Sequence, residues 1–488
     1  LSDIPEHIKC KKIYNFSKKN VYFNYISRNS KEIKKNSILI VNKKNNFEEK
    51  YIAESIKRGA VAIITNYYFK KIKIPQFLVS NINIFYNLLK RIKKYPPRNI
   101  VGITGTNGKT SVVSNISYIN SFLKKNNKSY GTLGYYRNNK KIEDSILTTP
   151  EYEILYQKAY SSKKNEYDFV FEVSSHAISK KRINNFPINI AALTNISQDH
   201  LDFHKTYYNY KKTKFKLFTN YLSRNGIAIL NDKITQINSL KKKLNRKKIK
   251  IISYGSKKSD INIYNKNNKT NIKIFNKIYS IKKINYNNYE IDNLSCSICC
   301  CLSLGISNSN ILKVIHKIKK PIGRLEKVGK LFNNASVFID YAHTPDALKN
   351  VLIANTHKKN KPNLVFGCGG DRDKLKRKKM GSIANNFASK IYITDDNPRN
   401  ESPKKIRKEI LKACKKKAVE IGDRKNAIQT AIKELCPNEI LLVAGKGHED
   451  TQNYGNKILN FSDKKVIKKI VSNKKFLNKK VKYKDFLI

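Results

Sequence analysis

Tryptophan is absent from the 488 residues, methionine occurs once, and glycine (19) and proline (12) are scarce. Acidic residues are also few, 36 against 99 Lys and Arg, which leaves a formal net charge of +63. Lys, Asn, Ile, Tyr and Phe fill the gap, the set expected from a compositional skew toward AT-rich codons. Such a charge also admits a polyanion partner such as nucleic acid. The basic residues spread along the whole chain instead of forming one block, which favours the skew over a specific nucleic-acid function. The charge would still draw phosphorylated substrates and, non-specifically, anionic surfaces.

No apolar run approaches the ~18–20 residues that a membrane helix needs. The opening Leu1-Ser2-Asp3-Ile4-Pro5-Glu6 lacks the basic-then-apolar order of a secretory signal. The expectation is a cytoplasmic protein without membrane insertion. Of eight cysteines, Cys296, Cys299, Cys300 and Cys301 cluster in one apolar stretch. No second ligand pair stands at a zinc-site spacing, so they read as buried thiols of a helix.

Because prolines and glycines are rare, the places where they gather stand out as boundaries: Pro96-Pro97, and Pro321-Ile322-Gly323. Length predicts three domains, 1–97, 98–322 and 323–488. Short apolar strands alternate with polar, helix-like segments. The strands include 100–104, 167–173, 188–194, 226–230, 336–340, 363–367, 390–394 and 439–444, an alternation that predicts parallel α/β sheets. Sites in such sheets lie at the carboxyl ends of strands. The Asn/Lys-rich segment 257–290, with short β-like runs, reads as peripheral.

Three strand ends carry chemistry. Residues 102–110, Gly-Ile-Thr-Gly-Thr-Asn-Gly-Lys-Thr, stand between a strand and a helix-like segment. Backbone N–H groups around Gly105, Thr106, Asn107 and Gly108 would close on phosphate oxygens at a helix N-terminus. Lys109 would neutralise β/γ-phosphate charge, and the Thr110 hydroxyl would bind Mg²⁺. The glycine spacing departs from the general phosphate loop, whose first glycine would fall at Ile103. Glu172 ends a second strand, where a carboxylate holds Mg²⁺ against nucleotide phosphates. Residues 194–204 follow a third strand and pack two His and two Asp into eleven positions.

The loop 105–110, Glu172-Val173-Ser174-Ser175-His176 and Asp199-His200-Leu201-Asp202 together resemble the central ATPase domain of the Mur ligases. The resemblance implies three α/β domains: a central, mostly parallel ATPase sheet of the P-loop type, an N-terminal UDP-binding domain and a C-terminal Rossmann-like domain. It makes Glu172 and His200 metal ligands and matches 210–218 to the segment with a carbamylated lysine. Register places that modification, N6-carboxylysine, at Lys214, with Lys216 the alternative. Ser111, Asn293, Arg324, Asp340, Tyr341 and His343 would join the phosphate loop in binding ATP. Asp396-Asn397-Pro398-Arg399 is similar to the diaminopimelate signature of one branch. Arg372 and Arg399 would pair with the distal carboxylate of meso-diaminopimelate and Glu449 with its ammonium, beside Gly445.

On the UDP-precursor side the matches are Ser27, Thr148, Thr149, Ser175 and Arg182. Asn42 to Asn46 replace an expected glycine-rich loop, and Lys180 stands where relatives often carry Gln. The implied activity joins meso-diaminopimelate to UDP-MurNAc-L-Ala-D-Glu with ATP as co-substrate and Mg²⁺ as cofactor, in a monomer. Other Mur ligases, including lysine-adding ones, folylpolyglutamate synthase-like ligases and a nucleic-acid-dependent P-loop ATPase remain the alternatives.

Overall fold

The computed structural model describes residues 1, 4–16, 22–43, 49–356, 360–414 and 418–473. Lys44, Asn45 and Asn46 of the replaced loop lie outside them. Every apolar run predicted as a strand forms one: Asn99–Thr104, Asp168–Glu172, Ile188–Leu193, Leu222–Asn231, Ser336–Asp340, Asn363–Phe366, Ile391–Ile393 and Ile440–Ala444. The fold is mixed α/β. The chain divides into two compact units, one of Leu1–Gly102, Asn120–Ile190 and Tyr221–Ser223, the other of Ile103–Ile119, Ala191–Asn220 and Arg224–Ile488.

In the first unit, a five-stranded sheet has the order Cys10–Tyr14, Gln76–Val79, Ala60–Thr65, Ser37–Val41, Tyr25–Ser27. It is parallel except for the first strand. Leu39, Val41, Ile52, Ile63 and Phe69 form its core. The edge strand Tyr25–Ser27 would leave backbone groups unpaired, a liability of any sheet edge. Helix Tyr152–Ala159 supplies the missing partners: Gln157 Oε1 accepts from Ile26 N–H at 2.9 Å, and Gln157 Nε2 donates to the Ile26 carbonyl at 2.8 Å. Beside it, strand Asp168–Glu172 pairs in parallel with Asn127–Gly131, which continues antiparallel into Gly134–Arg137 and Lys140–Glu143.

In the second unit, residues 227–231 of strand Leu222–Asn231 pair in parallel with Lys250–Tyr254, and the latter strand pairs in parallel with Ile261–Lys266. The segment read as peripheral is an antiparallel meander of Ile261–Lys266, Lys269–Ile274 and Lys277–Lys282. A six-stranded sheet follows, in the order Glu326–Lys330, Ser336–Asp340, Ile440–Ala444, Asn363–Phe366, Ile391–Ile393, Ala418–Glu420, with only the first strand antiparallel. Alternate residues serve two cores. Leu364, Phe366, Ile391, Ile393 and Leu442 face one, and Val365, Tyr392, Leu441 and Val443 the other. Burial on both faces is why these strands read as unbroken apolar runs. Helix Asn288–Ser303 buries all four clustered cysteines, as expected, and Glu290 caps its start by accepting from Asn287 N–H at 3.0 Å.

Candidate active site

Strand Asn99–Thr104 runs into the turn at 105–108, and helix Lys109–Phe122 begins at once. Residues after strand Ile188–Leu193 hold the turn from behind. Thr106 N–H donates to the Asn195 carbonyl and Asn107 N–H to Asn195 Oδ1, both at 2.9 Å. Thr194 Oγ1 and Asn195 Nδ2 donate to the Asn107 carbonyl at 2.6 and 3.1 Å. Gly108 has a φ of +84°, and a Cβ there would lie 2.2 Å from Asn293 Oδ1. The turn and the approach of helix Asn288–Ser303 therefore both require glycine. Thr110 and Ser111 occupy the first helical turn, and Thr110 Oγ1 accepts from Arg324 Nη2 at 3.1 Å.

Two lysines meet on one carbonyl of this turn. Lys109 Nζ donates to the Gly105 and Thr106 carbonyls, both at 2.9 Å, and Lys214 Nζ donates to the Gly105 carbonyl at 2.8 Å. Of the two lysines that register leaves open, Lys214 is buried and Lys216 exposed. Burial, then the charge of Lys109, pushes the Lys214 amine well below the usual lysine range. His200 sits in the left-handed region at φ +54°, with its N–H donating to Asp199 Oδ1 at 2.9 Å and its Nε2 3.2 Å from Asp199 Oδ2. Burial would raise Asp199, but the charges of His200, Lys376 and His343 outweigh it and hold that carboxyl down to about 2.

The Arg324 guanidinium lies 4.4 Å over the Tyr341 ring, which also contacts the His343 and His448 rings at 4.7 and 5.2 Å. Asp340 ends its strand by accepting from Leu325 N–H at 2.6 Å and Ala342 N–H at 2.7 Å. Its two oxygens thus fix the segments carrying Arg324 and Tyr341, and burial raises its carboxyl. His343 Nδ1–H donates to the Tyr341 carbonyl at 2.8 Å. Burial, then the Lys376 charge, lowers this imidazole to about 4, so it is neutral at pH 7.

Three more loops leave the carboxyl ends of neighbouring strands, where open α/β sheets place their ligands. Glu449 Oε2 accepts from Asn397 Nδ2 at 2.9 Å and from the buried Lys446 Nζ at 3.1 Å, which also reaches Asn397 Oδ1 at 3.3 Å. Asp396 is buried against Gly445, and that burial raises its carboxyl. Arg399 Nη1 donates to the Gly370 carbonyl at 2.7 Å, with Pro398 packed on Gly370. Burial, then the positive charge of Arg372, lowers Arg399 below the usual arginine range. Arg372 Nη1 donates to the Asp371 carbonyl at 2.9 Å.

In the first unit, the buried Glu172 carboxylate accepts from Thr132 N–H at 2.7 Å and Thr132 Oγ1 at 3.2 Å. Thr132 Oγ1 also lies 3.1 Å from Thr148 Oγ1. Thr149 Oγ1 donates to the Glu172 carbonyl at 2.8 Å, and the Thr149 carbonyl accepts from Arg182 Nη1 at 3.1 Å. Arg182 Nε also faces Glu151 Oε1 at 2.8 Å. Ser175 Oγ is buried with no hydrogen-bond partner among the described residues. The Ser27 hydroxyl is turned inward, donating to the Asn29 carbonyl at 3.2 Å and accepting from Asn29 N–H at 3.0 Å.

Comparison with known proteins gives two family matches, the Mur ligase middle domain over residues 103–301 and the Mur ligase glutamate ligase domain over 323–447. UDP-N-acetylmuramoyl-L-alanyl-D-glutamate--2,6-diaminopimelate ligase of Rickettsia montanensis is 38% identical over 468 residues, covering 91% of this chain and 95% of that relative. The chain belongs to the Mur ligase family. A solved structure of a ligase with that same name aligns with a TM-score of 0.57 at 25% identity, over 92% of this chain and 94% of the other. MurF of Acinetobacter baumannii shares the fold, with a TM-score of 0.67 at 14% identity over 91% and 95%.

Within this Mur ligase, sequence reasoning overlooked several residues that shape the site. Asn195 backs the phosphate turn, Thr132 orients Glu172, and Lys446 bridges Asn397 and Glu449. Asn195 lies inside the run 194–204 and Lys446 between Gly445 and Glu449, so their place after a strand was the available signal; Thr132 follows strand Asn127–Gly131, which is not among the apolar runs read from the sequence. His448, on the Tyr341 ring, had none beyond its place in the same loop.

Proposed function

We propose that this chain is an ATP-dependent ligase that joins meso-diaminopimelate to the D-glutamate γ-carboxylate of UDP-MurNAc-L-Ala-D-Glu, releasing ADP and phosphate. The observation that carries this reading is the contact between the loops that bear the two arginines: Gly370 N–H donates to the Asn397 carbonyl at 2.9 Å and Arg399 Nη1 to the Gly370 carbonyl at 2.7 Å, which supports a paired cationic site suited to a second carboxylate. Lysine lacks that carboxylate and would leave both guanidiniums unpaired, the steepest discrimination available to a small pocket. The names of the similar ligases support the same substrate pair.

A carboxylate is a poor acyl donor because its leaving group would be oxide. Phosphoryl transfer from ATP gives an acyl phosphate, and attack by the amine then expels phosphate through a tetrahedral intermediate. Lys109 would stabilise charge on the transferring phosphoryl, moving from the Gly105 and Thr106 carbonyls to phosphate oxygen. The 105–108 backbone would cradle the phosphates. Arg324 and Tyr341 would bind the nucleoside side, with Asp340, His343 and Asn293 shaping it. Glu449, Asp396 and Asn397 would orient the ammonium of the amino acid. Ser27, Thr148, Thr149, Ser175 and Arg182 are proposed to meet the UDP-linked precursor.

Among the described residues no three His, Cys, Asp or Glu side chains gather to hold a metal. We propose that Thr110, Glu172 and carbamylated Lys214 would offer oxygen donors of the kind Mg²⁺ takes, and His200 a nitrogen. The buried amine of Lys214, pushed toward neutrality, is in the state that adds CO₂. Mg²⁺ held there would supply charge neutralisation for the phosphates.

We read domain boundaries at 1–97, 98–322 and 323–488, and a cytoplasmic monomer. No helix among the described residues is long and apolar enough to cross a membrane. The test is phosphate release by the full chain with ATP, the UDP-dipeptide and a panel of amino acids. Release should require the dipeptide and be fastest with meso-diaminopimelate. Preference for lysine or glutamate would favour another ligase class, and dependence on single-stranded nucleic acid would overturn ligation.

A further inference from the structure

The arginine pair stands on a buried network that no sequence motif announces. Arg377 belongs to helix Leu375–Phe387, and its side chain is fully buried. Its Nη2 donates to Glu401 Oε1 at 2.9 Å and to the Gly369 carbonyl at 3.4 Å. Its Nη1 donates to Glu401 Oε2 at 3.1 Å and Glu409 Oε2 at 2.9 Å. A fully buried guanidinium persists only when paired, here by both Glu401 oxygens and by Glu409.

Glu401 does more than neutralise Arg377. Its Oε1 also accepts from Asp371 N–H at 2.6 Å. The Asp371 carboxylate accepts from Asn400 Nδ2 at 2.9 Å and Asn400 N–H at 3.3 Å. Asp371 directly precedes Arg372, and Asn400 directly follows Arg399, so the contact joins the immediate neighbours of both arginines. Gly370 N–H donates to the Asn397 carbonyl at 2.9 Å, and a Cβ on Gly370 would fall 1.8 Å from the Pro398 carbonyl oxygen. The two loops are therefore in direct backbone contact, with Arg377 and Glu401 clamping their base.

We propose that Arg377 and Glu401 are positioning residues for amino-acid selection, locking loop 369–371 onto loop 397–401 so that Arg372 and Arg399 present one pre-formed anion site. The inference rests on the reading of those two arginines as the amino-acid anchor. Pre-formed geometry matters because a displacement of about 1 Å in a positioning group costs on the order of a hundredfold in rate. A loosened pair would bind the distal carboxylate less well while leaving the nucleotide site intact.

The test uses steady-state kinetics of the full chain with saturating UDP-dipeptide. Glu401→Gln keeps the shape and removes the charge, and Arg377→Met removes the donors. Each should raise the KM for meso-diaminopimelate about tenfold or more and change the KM for ATP less than about twofold. The preference for meso-diaminopimelate over lysine in kcat/KM should fall by about tenfold. Equal changes in both KM values, or an unchanged preference, would overturn the proposal, since a general loss of packing gives that pattern. If Arg377→Met fails to fold, Glu401→Gln and Asn400→Ala carry the test. Arg399→Ala separates the two layers. If it leaves the meso-diaminopimelate KM unchanged, the anchor and the clamp both fall; if it raises that KM and Glu401→Gln does not, the clamp alone falls.

Discussion

Lys214 Nζ donates to the Gly105 carbonyl at 2.8 Å, the same oxygen that Lys109 Nζ reaches at 2.9 Å. Two ammonium groups on one acceptor repel, and burial removes the water that would screen them. Keeping Lys214 neutral relieves the conflict and leaves a nucleophilic amine for CO₂. Lys214→Ala should therefore lower kcat by about a hundredfold or more, the scale of losing an electrostatic stabiliser. Added short-chain carboxylate should restore part of the rate. Full unassisted activity of the variant would end the carbamate assignment.

Arg424 and Asp463 form a wholly buried pair, with Arg424 Nε 2.8 Å from Asp463 Oδ1 and Nη2 2.8 Å from Oδ2. Arg424 Nη2 also donates to the Ala444 carbonyl at 2.9 Å, directly before the glycine that packs on Asp396. Breaking one side strands a buried charge, which costs about 3–5 kcal/mol. Arg424→Met should lower the unfolding free energy by that order in urea titration. Exchanging both partners for apolar residues should cost much less. A single variant as stable as the parent would show that the pair is solvated in solution.

His343 makes stability depend on acid. Its imidazole is lowered to about 4, chiefly by burial, against an ordinary value of 6.5. Between those two pH values the unfolded chain binds the proton and the folded chain does not, so stability falls as pH drops from about 6.5 toward 4. At about 1.4 kcal/mol per pH unit, the loss is on the order of 3 kcal/mol across the window. His343→Gln should flatten this part of the pH–stability curve, while an unchanged slope in denaturant titrations at pH 4.5 and 7 would refute the assignment.

The strands were legible because burial on both faces writes itself as unbroken apolar runs, as at 363–366 and 440–444. The phosphate turn was legible because few residues other than glycine tolerate the backbone at 105 and 108. Arg377, Glu401, Lys446 and the Arg424–Asp463 pair were not. Arg377, Lys446 and Arg424 are each one cation in a chain with 99 basic residues, Glu401 and Asp463 stand outside the motifs named above, and burial is a property of the three-dimensional neighbourhood. The Asp340 carboxylate was singled out as a nucleotide contact; that its oxygens hold the Leu325 and Ala342 amides follows only once Glu326–Lys330 pairs back on Ser336–Asp340.

The cysteine-rich helix also sets how the protein answers thiol chemistry. Cys296, Cys299, Cys300, Cys301, Cys368 and Cys414 are buried, Cys10 is half-covered, and Cys436 is exposed. Burial lifts the thiols of Cys299, Cys300, Cys368 and Cys414 away from their reactive anionic form. A maleimide dye applied under native conditions would consequently attach first at Cys436, giving a ready-made attachment point for fluorescence within the segment 323–447 that matches the glutamate ligase domain.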